Sequence, residues 1–461
     1  MQNQAGRSPE GNPEKSTKRR PFFRLLKKAF LWSLGILLLW WVLSAIIPGL
    51  PTPARAGMAL LGLMKDVTDD VYISANKEHL EKAARDVMSE AEETGTEPDA
   101  ATSDSQRSSA DRQRRLPAVP AQEDSALRTT LKAISNAPLI RGRVINILLV
   151  GVDSRIGSRS ARADAIHLFT VNPDSAVVEI TSIPRDMYVD LGYPDTTSFN
   201  IIANARAAGY PGFLRRVEEI AKRGPIKYYA EVGFSQAMGV LEMLGYKDPV
   251  NTLKFLRTRK GLAAGDVQRS HNQAVFLRQS LMSKFALFTG ATGDLILAAG
   301  LNFVATNMSK DFCQGLVYAM DQRGFPTHRS DAVRLRMPPT YKIRLKDMAV
   351  DSATIARTVA RNRQYEEEDV PRIDVTRHLR RVTREAIADS NRPGQVIFKL
   401  NRIAEQHAWI QIRDQRARVG IRDTLLTLLE RAYRKVGKTA EADRVVDLRR
   451  SEDVLIQTKL P

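Results

Sequence analysis

Val144-Ile145-Asn146-Ile147-Leu148-Leu149-Val150-Gly151-Val152-Asp153-Ser154-Arg155 decides the fold. A short apolar run that ends in turn residues is a buried strand of a sheet core. Two more such runs follow, Ile166–Val171 and Val177–Ile183. Arg162-Ala163-Asp164 lies between the first two, and Pro184-Arg185-Asp186 follows the third. Every strand end therefore presents an acid together with an arginine. Carboxylates able to hold a metal, beside guanidinium groups able to grip phosphate, suit a phosphorylated substrate.

Working outward, Ile201–Ala208 is helix-compatible and is broken by Gly209-Tyr210-Pro211-Gly212. Phe213–Ala221 predicts a helix, Tyr228–Phe234 a strand, Ser235–Leu244 a helix, and Ser270–Phe288 a long amphipathic helix. Alternating strands and helices imply a layered α/β domain, expected over residues 126–335. Phe255-Leu256-Arg257-Thr258-Arg259 is expected as a strand whose alternation puts Arg257 and Arg259 on one face. Gly265-Asp266 and Arg269 follow, then Gln273 on the next helix. So many arginines would repel one another unless an anion sat among them, which is the physical case for a pyrophosphate pocket. Beyond Pro338-Pro339, Val375, Leu379, Val382 and Ala386 form one helical stripe, and Leu425, Leu428, Ala432 and Val436 another. Residues 336–461 are therefore expected as a mostly helical extension.

The chain of 461 residues carries a net charge of +18, which favours anionic partners such as phosphate, anionic lipid or nucleic acid. A single cysteine, Cys313, excludes an intrachain disulfide and any multi-cysteine metal site. Residues 1–28 form a basic tail with Lys15, Lys18, Arg19, Arg20, Arg24, Lys27 and Lys28. The charge-free run 29–50 that follows meets the roughly 20 apolar residues a spanning helix needs. Positive charge stays inside, so the N-terminus is expected in the cytoplasm and the rest outside the inner membrane. Ala54-Arg55-Ala56 resembles a cleavage site, but the run exceeds the roughly 7–15 residues of a secretory h-region, which favours an uncleaved signal anchor. Residues 51–92 read as a membrane-proximal helical segment. Residues 93–125, rich in Ser, Thr, Asp, Ala and Pro and free of aromatics, read as a flexible linker. Export also argues against nucleic acid as partner, because DNA would lie on the wrong side.

The ordered set Ile147–Arg155, Arg162-Ala163-Asp164, Ser182–Asp186, Arg257-Thr258-Arg259, Gly265-Asp266 and Arg269 resembles the LytR–CpsA–Psr family of cell-wall glycopolymer phosphotransferases. These motifs cover about Val144 to Leu281. The resemblance implies a three-layer α/β/α sandwich with a central mixed sheet and an apolar tunnel for a polyprenyl chain. It implies an enzyme that moves a glycan with its phosphate from a polyprenyl-pyrophosphate carrier to peptidoglycan or another envelope acceptor. By the same resemblance Asp153 and Asp164 would hold Mg²⁺, and Arg155, Arg162, Arg257, Arg259, Arg269 and Gln273 would bind substrate. Arg185, Asp186 and Asp266 are expected to be catalytic: Asp266 by positioning the arginines, and Asp186, with Asp153 as an equal alternative, by taking the proton of an acceptor hydroxyl. The family often has an arginine where this chain has Asn272, and its Lys-Ile-Asn motif is poorly kept, with Asn200 and Asn204 competing for it. The alternative is a lipid-carrier-binding or scaffold protein of the envelope on the same fold. No Walker loop or dinucleotide fingerprint is present, and the six histidines show no metal-ligand spacing.

Overall fold

The computed structural model describes residues 53–94, 140, 142–152, 156, 162–194, 199–259, 262, 264–326, 331–338, 351–366 and 374–457. The apolar run 29–50, Asp153, Arg155 and most of the expected linker lie outside them. Among the described residues no single helix is long and apolar enough to span a membrane. The chain divides into two units, Met1–Val71 and Tyr72–Pro461, and the sheet belongs to the second.

In chain order the elements are α1 (Pro53–Glu90), β1 (Glu92–Thr94), β2 (Gly142–Val152), β3 (Ala163–Asn172), β4 (Val177–Ser182), α2 (Ile202–Ala205) and α3 (Tyr210–Ala221). Then come β5 (Tyr228–Val232), α4 (Phe234–Met243), α5 (Pro249–Arg257), α6 (Gly265–Lys284), α7 (Gly290–Phe303), β6 (Ala305–Thr306), α8 (Lys310–Asp321) and β7 (Val333–Arg336). The last are α9 (Ser352–Glu366), α10 (Val375–Ala388), α11 (Pro393–Glu405), α12 (Gln415–Lys435) and α13 (Thr439–Gln457). β1 begins where the linker was expected to begin: Glu93 and Thr94 pair with Arg143 and Gly142 of β2.

The described strands form a mixed sheet of order β6-β5-β2-β3-β4-β7, with β1 paired to β2 off that path. β2, β3 and β4 are successive antiparallel neighbours, while β5 joins β2 and β7 joins β4 in parallel. Period-two alternation divides the apolar runs between two faces. Leu148, Val150, Ile166, Leu168 and Ile183 pack with Phe213, Val217 and Ala221 of α3 on one side. Val171, Val178 and Ile180 pack with Ala274 of α6, Met320 of α8 and Phe325 on the other. Ile145 joins Val87 of α1 and Phe312 of α8 in a smaller cluster on that side. A mixed sheet flanked by helices is thus what the three runs build, and burial on both faces explains why they read as nearly unbroken apolar segments.

One polar network crosses this core. Glu179, in the middle of β4, is only 1% exposed. Its Oε1 accepts from Arg223 Nε and NH2 at 3.3 and 3.0 Å and lies 3.6 Å from Arg336 NH1 of β7. Arg223 also donates to the Ile140 carbonyl at 2.9 Å, so the network ties the sheet to the segment after α3.

The expected helical stripes form in the C-terminal region. Leu379, Val382 and Ala386 of α10 and Leu425, Leu429 and Ala432 of α12 are buried, whereas Val436 just beyond α12 is exposed. They share one apolar cluster with Met238 and Leu241 of α4, Leu253 of α5 and Phe303 of α7. The helical region is therefore packed onto the sheet-flanking helices through a continuous core. Glu452 of α13 fastens its end, accepting from His407 Nδ1 and Trp409 Nε1, each at 2.9 Å.

Backbone-to-backbone contact occurs where α8 crosses α1. A Cβ on Gly315 would run into the Ala83 carbonyl. Helix propensity alone predicts that Gly315→Ala gains about 1 kcal/mol. Overpacking against a backbone atom predicts the opposite sign, a loss of about 1–3 kcal/mol. A urea titration should show a lower midpoint; a raised one would mean the two helices separate freely.

Candidate active site

Hairpin register brings the first pair of site residues together. In β3 and β4, His167 pairs with Ser182, and Ile183 N donates to the Ile166 carbonyl at 2.9 Å. Continuing that pairing past Pro184, which ends the strand, sets Asp164 opposite Arg185. Their side chains are in direct contact, Arg185 NH1 donating to Asp164 Oδ1. The third and fourth residues come from α6, about eighty residues later in the chain. Gly265 takes φ +51°, a left-handed turn that glycine adopts without strain, and the helix then opens with Asp266 and, one turn on, Arg269. Asp266 Oδ2 accepts from Arg185 N at 3.2 Å. Asp266 Oδ1 is in contact with Arg269 NH2 and lies 3.6 Å from Arg185 Nε. Arg269 NH2 also donates to the Asp164 carbonyl oxygen at 3.0 Å.

Arg185, Asp266 and Arg269 are largely buried, Asp164 is less so, and Asp186, 3.5 Å from Arg185 Nε, is half-exposed. Burial raises the Asp266 pKa, against the opposing pull of Arg269 and Arg185; the negative charge of Asp186 adds to the rise. Burial likewise lowers the Arg269 pKa, with Asp266 working in the other direction. For Arg185 burial disfavours the charge, but Asp164, Asp186 and Asp266 outweigh it and hold the pKa above the ordinary guanidinium value. Among the described residues no acceptor makes a hydrogen bond with buried Arg185 Nε or Arg269 Nε, and no donor makes one with Asp266 Oδ1. Unmet buried donors on two adjacent guanidinium groups cost free energy unless an acceptor arrives, and a phosphate oxygen is one.

The remaining expected residues fall into four groups. Arg162 is exposed, just before β3. Arg259 is exposed too, and its charge reaches Arg269 closely enough to lower that residue's pKa further. Asp153 and Arg155 lie outside the described residues.

Arg257 requires a correction: within the segment expected as a strand, Phe255–Arg257 is the C-terminal turn of α5, with Thr258 as its C-cap and Arg259 beyond it. Asp248 accepts from Asn251 N at 2.9 Å as N-cap and Pro249 occupies the first helical turn, so the chain is committed to a helix before Phe255 is reached. Arg257 and Arg259 therefore do not share a strand face. Arg257 sits over the Phe234 ring, 5.1 Å from its centroid. The signal was present in Asp248-Pro249 with Val250, Leu253 and Leu256 three apart.

Gln273 uses both amide atoms within the protein. Its Nε2 donates to the Leu256 carbonyl at 2.8 Å, and its Oε1 lies 3.1 Å from His167 Nε2. That arrangement makes His167 Nε2 the donor and leaves Nδ1 to accept from Ser182 Oγ at 2.9 Å. Sequence reading had no local cue for this triad, whose members lie on β3, β4 and α6. Burial pushes the His167 imidazole down to about 4, so the folded protein binds it neutral. The unfolded chain binds that proton near pH 6.5, so stability is whole above this pH and falls as pH drops toward 4. The loss reaches about 3 kcal/mol, from about 2.5 pH units at 1.36 kcal/mol each. Urea midpoints at pH 7 and 4.5 should separate more for the wild type than for His167→Gln; coincident pH profiles would assign the acid lability to other groups.

The LytR_cpsA_psr family model matches residues 103–245 of this chain. That span holds Asp153 to Asp186 and stops short of Arg257, Arg259, Asp266, Arg269 and Gln273. TagU of Bacillus cereus (strain ATCC 14579), named a polyisoprenyl-teichoic acid–peptidoglycan teichoic acid transferase, is 27% identical over 206 residues, 39% of this chain and 66% of that protein. TagU of Bacillus mycoides (strain KBAB4) is 27% identical over 204 residues, 39% of this chain and 65% of that protein. The chain thus spans just under two thirds of the length of these curated relatives. Among solved structures, Bacillus subtilis TagV aligns over 49% of this chain and 98% of its own, at 19% identity and a TM-score of 0.34.

Proposed function

This chain belongs to the LytR_cpsA_psr family, and from that premise we propose that it transfers a glycan with its phosphate from a polyprenyl-pyrophosphate carrier to a cell-envelope hydroxyl, with peptidoglycan as the leading acceptor. One observation carries the reading: Arg185 and Arg269 are buried side by side, each with an unmet Nε–H, and are held there by Asp164 and Asp266. A guanidinium pair kept charged and undersupplied with acceptors is organised for a dianionic ligand. The names of the relatives, which include a polyisoprenyl-linked donor and a peptidoglycan acceptor, support the same reaction class.

In the proposed step the acceptor oxygen attacks the phosphorus that carries the glycan, and the bond from that phosphorus to the bridging oxygen breaks. The electron pair leaves with polyprenyl phosphate, and the hydroxyl proton passes to a carboxylate. We assign that proton to Asp186, a reading supported by its half-exposure, since Asp164 and Asp266 are turned onto arginines. Arg185 and Arg269 neutralise charge on the transferred phosphoryl group and the leaving phosphate, which a preorganised site does without reorganisation. Asp266 acts as a positioning residue for both. Arg162, Arg257 and Arg259, all exposed, supply the outer positive field.

Among the described residues no three His, Cys, Asp or Glu side chains form a metal cage. Mg²⁺ needs only one or two carboxylates when phosphate oxygens and water complete its shell, so the acids present fit an ion that arrives with pyrophosphate. Asp164 together with Asp153 would hold it, and it would supply charge neutralisation on the phosphate oxygens. The basic tail and the run 29–50 support an inner-membrane, single-pass anchor with the domain outside.

A binding-only role on the same fold has one observation in its favour. Asn272, where the family often carries an arginine, is buried and accepts from Gln268 Nε2 at 2.8 Å, so that position offers no guanidinium. Turnover separates the two readings. The full-length chain with Mg²⁺ and geranyl-pyrophosphoryl N-acetylglucosamine should release geranyl phosphate and label isolated peptidoglycan. Saturable binding without release of geranyl phosphate would leave the carrier-binding role.

A further inference from the structure

We propose that the loop after Arg185 and Asp186 carries an aromatic platform for a sugar ring, formed by Tyr193 and Phe199 with Tyr188 beside them. It rests on the transfer reading above and names how the glycan is held. The loop returns to its origin as a short ribbon. Tyr188 bridges Ile201 antiparallel, Val189 N donates to the Asn200 carbonyl at 3.2 Å, and Ile202 N donates to the Met187 carbonyl at 2.9 Å. Alternation then sends Met187, Val189, Asn200 and Ile202 inward, where all four are buried. Tyr188 and Phe199 fall on the outward face, 63% and 56% exposed, and Tyr193 is 51% exposed. The Tyr193 and Phe199 rings lie 5.6 Å apart, tilted by 51°.

This is a built surface. Asn200 Oδ1 accepts from Leu191 N and Tyr193 N, its Nδ2 donates to the Tyr193 carbonyl at 2.8 Å, and Asn204 Nδ2 donates to the Phe199 carbonyl at 2.9 Å. These bonds fix the described residues on either side of 195–198, and the three aromatic side chains exposed there mark a surface that something covers. The chemistry around it selects the occupant. A pyranose has an apolar C–H face that suits an aromatic ring and a rim of hydroxyls that suits carboxylates. Asp186 and Asp190, both exposed, stand in the same loop. Those acids disfavour the other common target of exposed aromatics, an anionic lipid surface. Continuity with the phosphate cluster supports the same occupant, because Ala203 N donates to the Arg185 carbonyl at 3.1 Å. A sugar joined to a phosphate on Arg185, or an acceptor sugar approaching it, would pass over this ribbon.

Calorimetry on the full-length chain tests the platform with three probes: N-acetylchitotetraose for the acceptor, geranyl-pyrophosphoryl N-acetylglucosamine for the donor, and geranyl pyrophosphate for the phosphate site alone. In Tyr193→Ala/Phe199→Ala at least one sugar probe should bind tenfold more weakly while geranyl pyrophosphate binds as before, and Phe199→Trp should retain binding. Loss of chitotetraose alone assigns the platform to the acceptor, and loss of the pyrophosphoryl sugar alone to the donor. Equal sugar affinities in variant and wild type overturn the proposal, as does a variant defect confined to binding of anionic vesicles. Failure of geranyl pyrophosphate to bind the wild type would sink the transfer reading instead, and chitotetraose binding lost in the variant would still support the platform. Both substituted side chains are exposed, so the variant should unfold within a few degrees of wild type.

Discussion

Arg185→Ala is expected to lower transfer by about 10²–10³-fold, the cost of removing one preorganised donor from a charge-stabilising site. Arg185 is the residue on which the cluster converges: it contacts Asp164, lies 3.5 and 3.6 Å from Asp186 and Asp266, and gives its backbone N–H to Asp266. Its removal has a second consequence. Asp164 and Asp266 lose a shared counter-charge, so the variant should also be less stable, and an inactive variant by itself would be ambiguous. Arg185→Lys resolves this. Lysine keeps the charge but has no planar fork for two-point phosphate contact, so it should fold and still lose most of the transfer rate. Arg257→Ala provides the contrast. That guanidinium sits over Phe234 on the exposed end of α5, and its loss should cost less than tenfold. Initial rates with geranyl-pyrophosphoryl N-acetylglucosamine would measure all three; a wild-type rate in Arg185→Lys would remove the guanidinium from the mechanism.

Glu179→Ala should produce the largest loss of stability. The carboxylate faces Arg223 and Arg336 in the sheet interior, and truncating it leaves those two guanidinium groups facing each other without a counter-ion. Breaking a buried ion pair in this way costs about 3–5 kcal/mol, a large part of the 5–15 kcal/mol typical of a domain. The effect should be mainly on the joint between β4 and β7, because Arg336 is β7's last residue and pairs with Thr181. Guanidinium chloride unfolding followed by circular dichroism reads it directly. Glu179→Gln should recover part of the loss by accepting from Arg223, and a midpoint for Glu179→Ala near that of wild type would mean the network relaxes to water on opening.

Much of the fold was legible because buried strands and amphipathic helices print their period on the chain. Leu148, Ile166 and Ile180 announced the buried strands of a sheet core, and Leu379, Val382 and Ala386 announced a helix that buries one stripe. The misreading of Phe255–Arg259 shows where that logic fails. Five residues with alternating arginines fit a strand, but Asp248 and Pro249, well upstream, had already nucleated a helix. A cap acts through the hydrogen bonds of the first turn and is invisible to a window that begins after it.

The candidate site was legible in kind and only partly in assembly. Asp164 and Arg185 follow from hairpin register, a local property of β3 and β4. The arrival of Asp266 and Arg269, the use of Gln273 on His167 instead of outward, and the choice of Arg223 and Arg336 as partners of Glu179 were decided only by tertiary structure. The physical reason is the range of the forces. Backbone period, turn chemistry and capping act over a few residues and are written along the chain. The pairing of charges in a dry interior depends on which distant segments close upon one another: at the candidate site α6, returning against β3 and β4, makes that choice, and around Glu179 the segment after α3 and β7 make it.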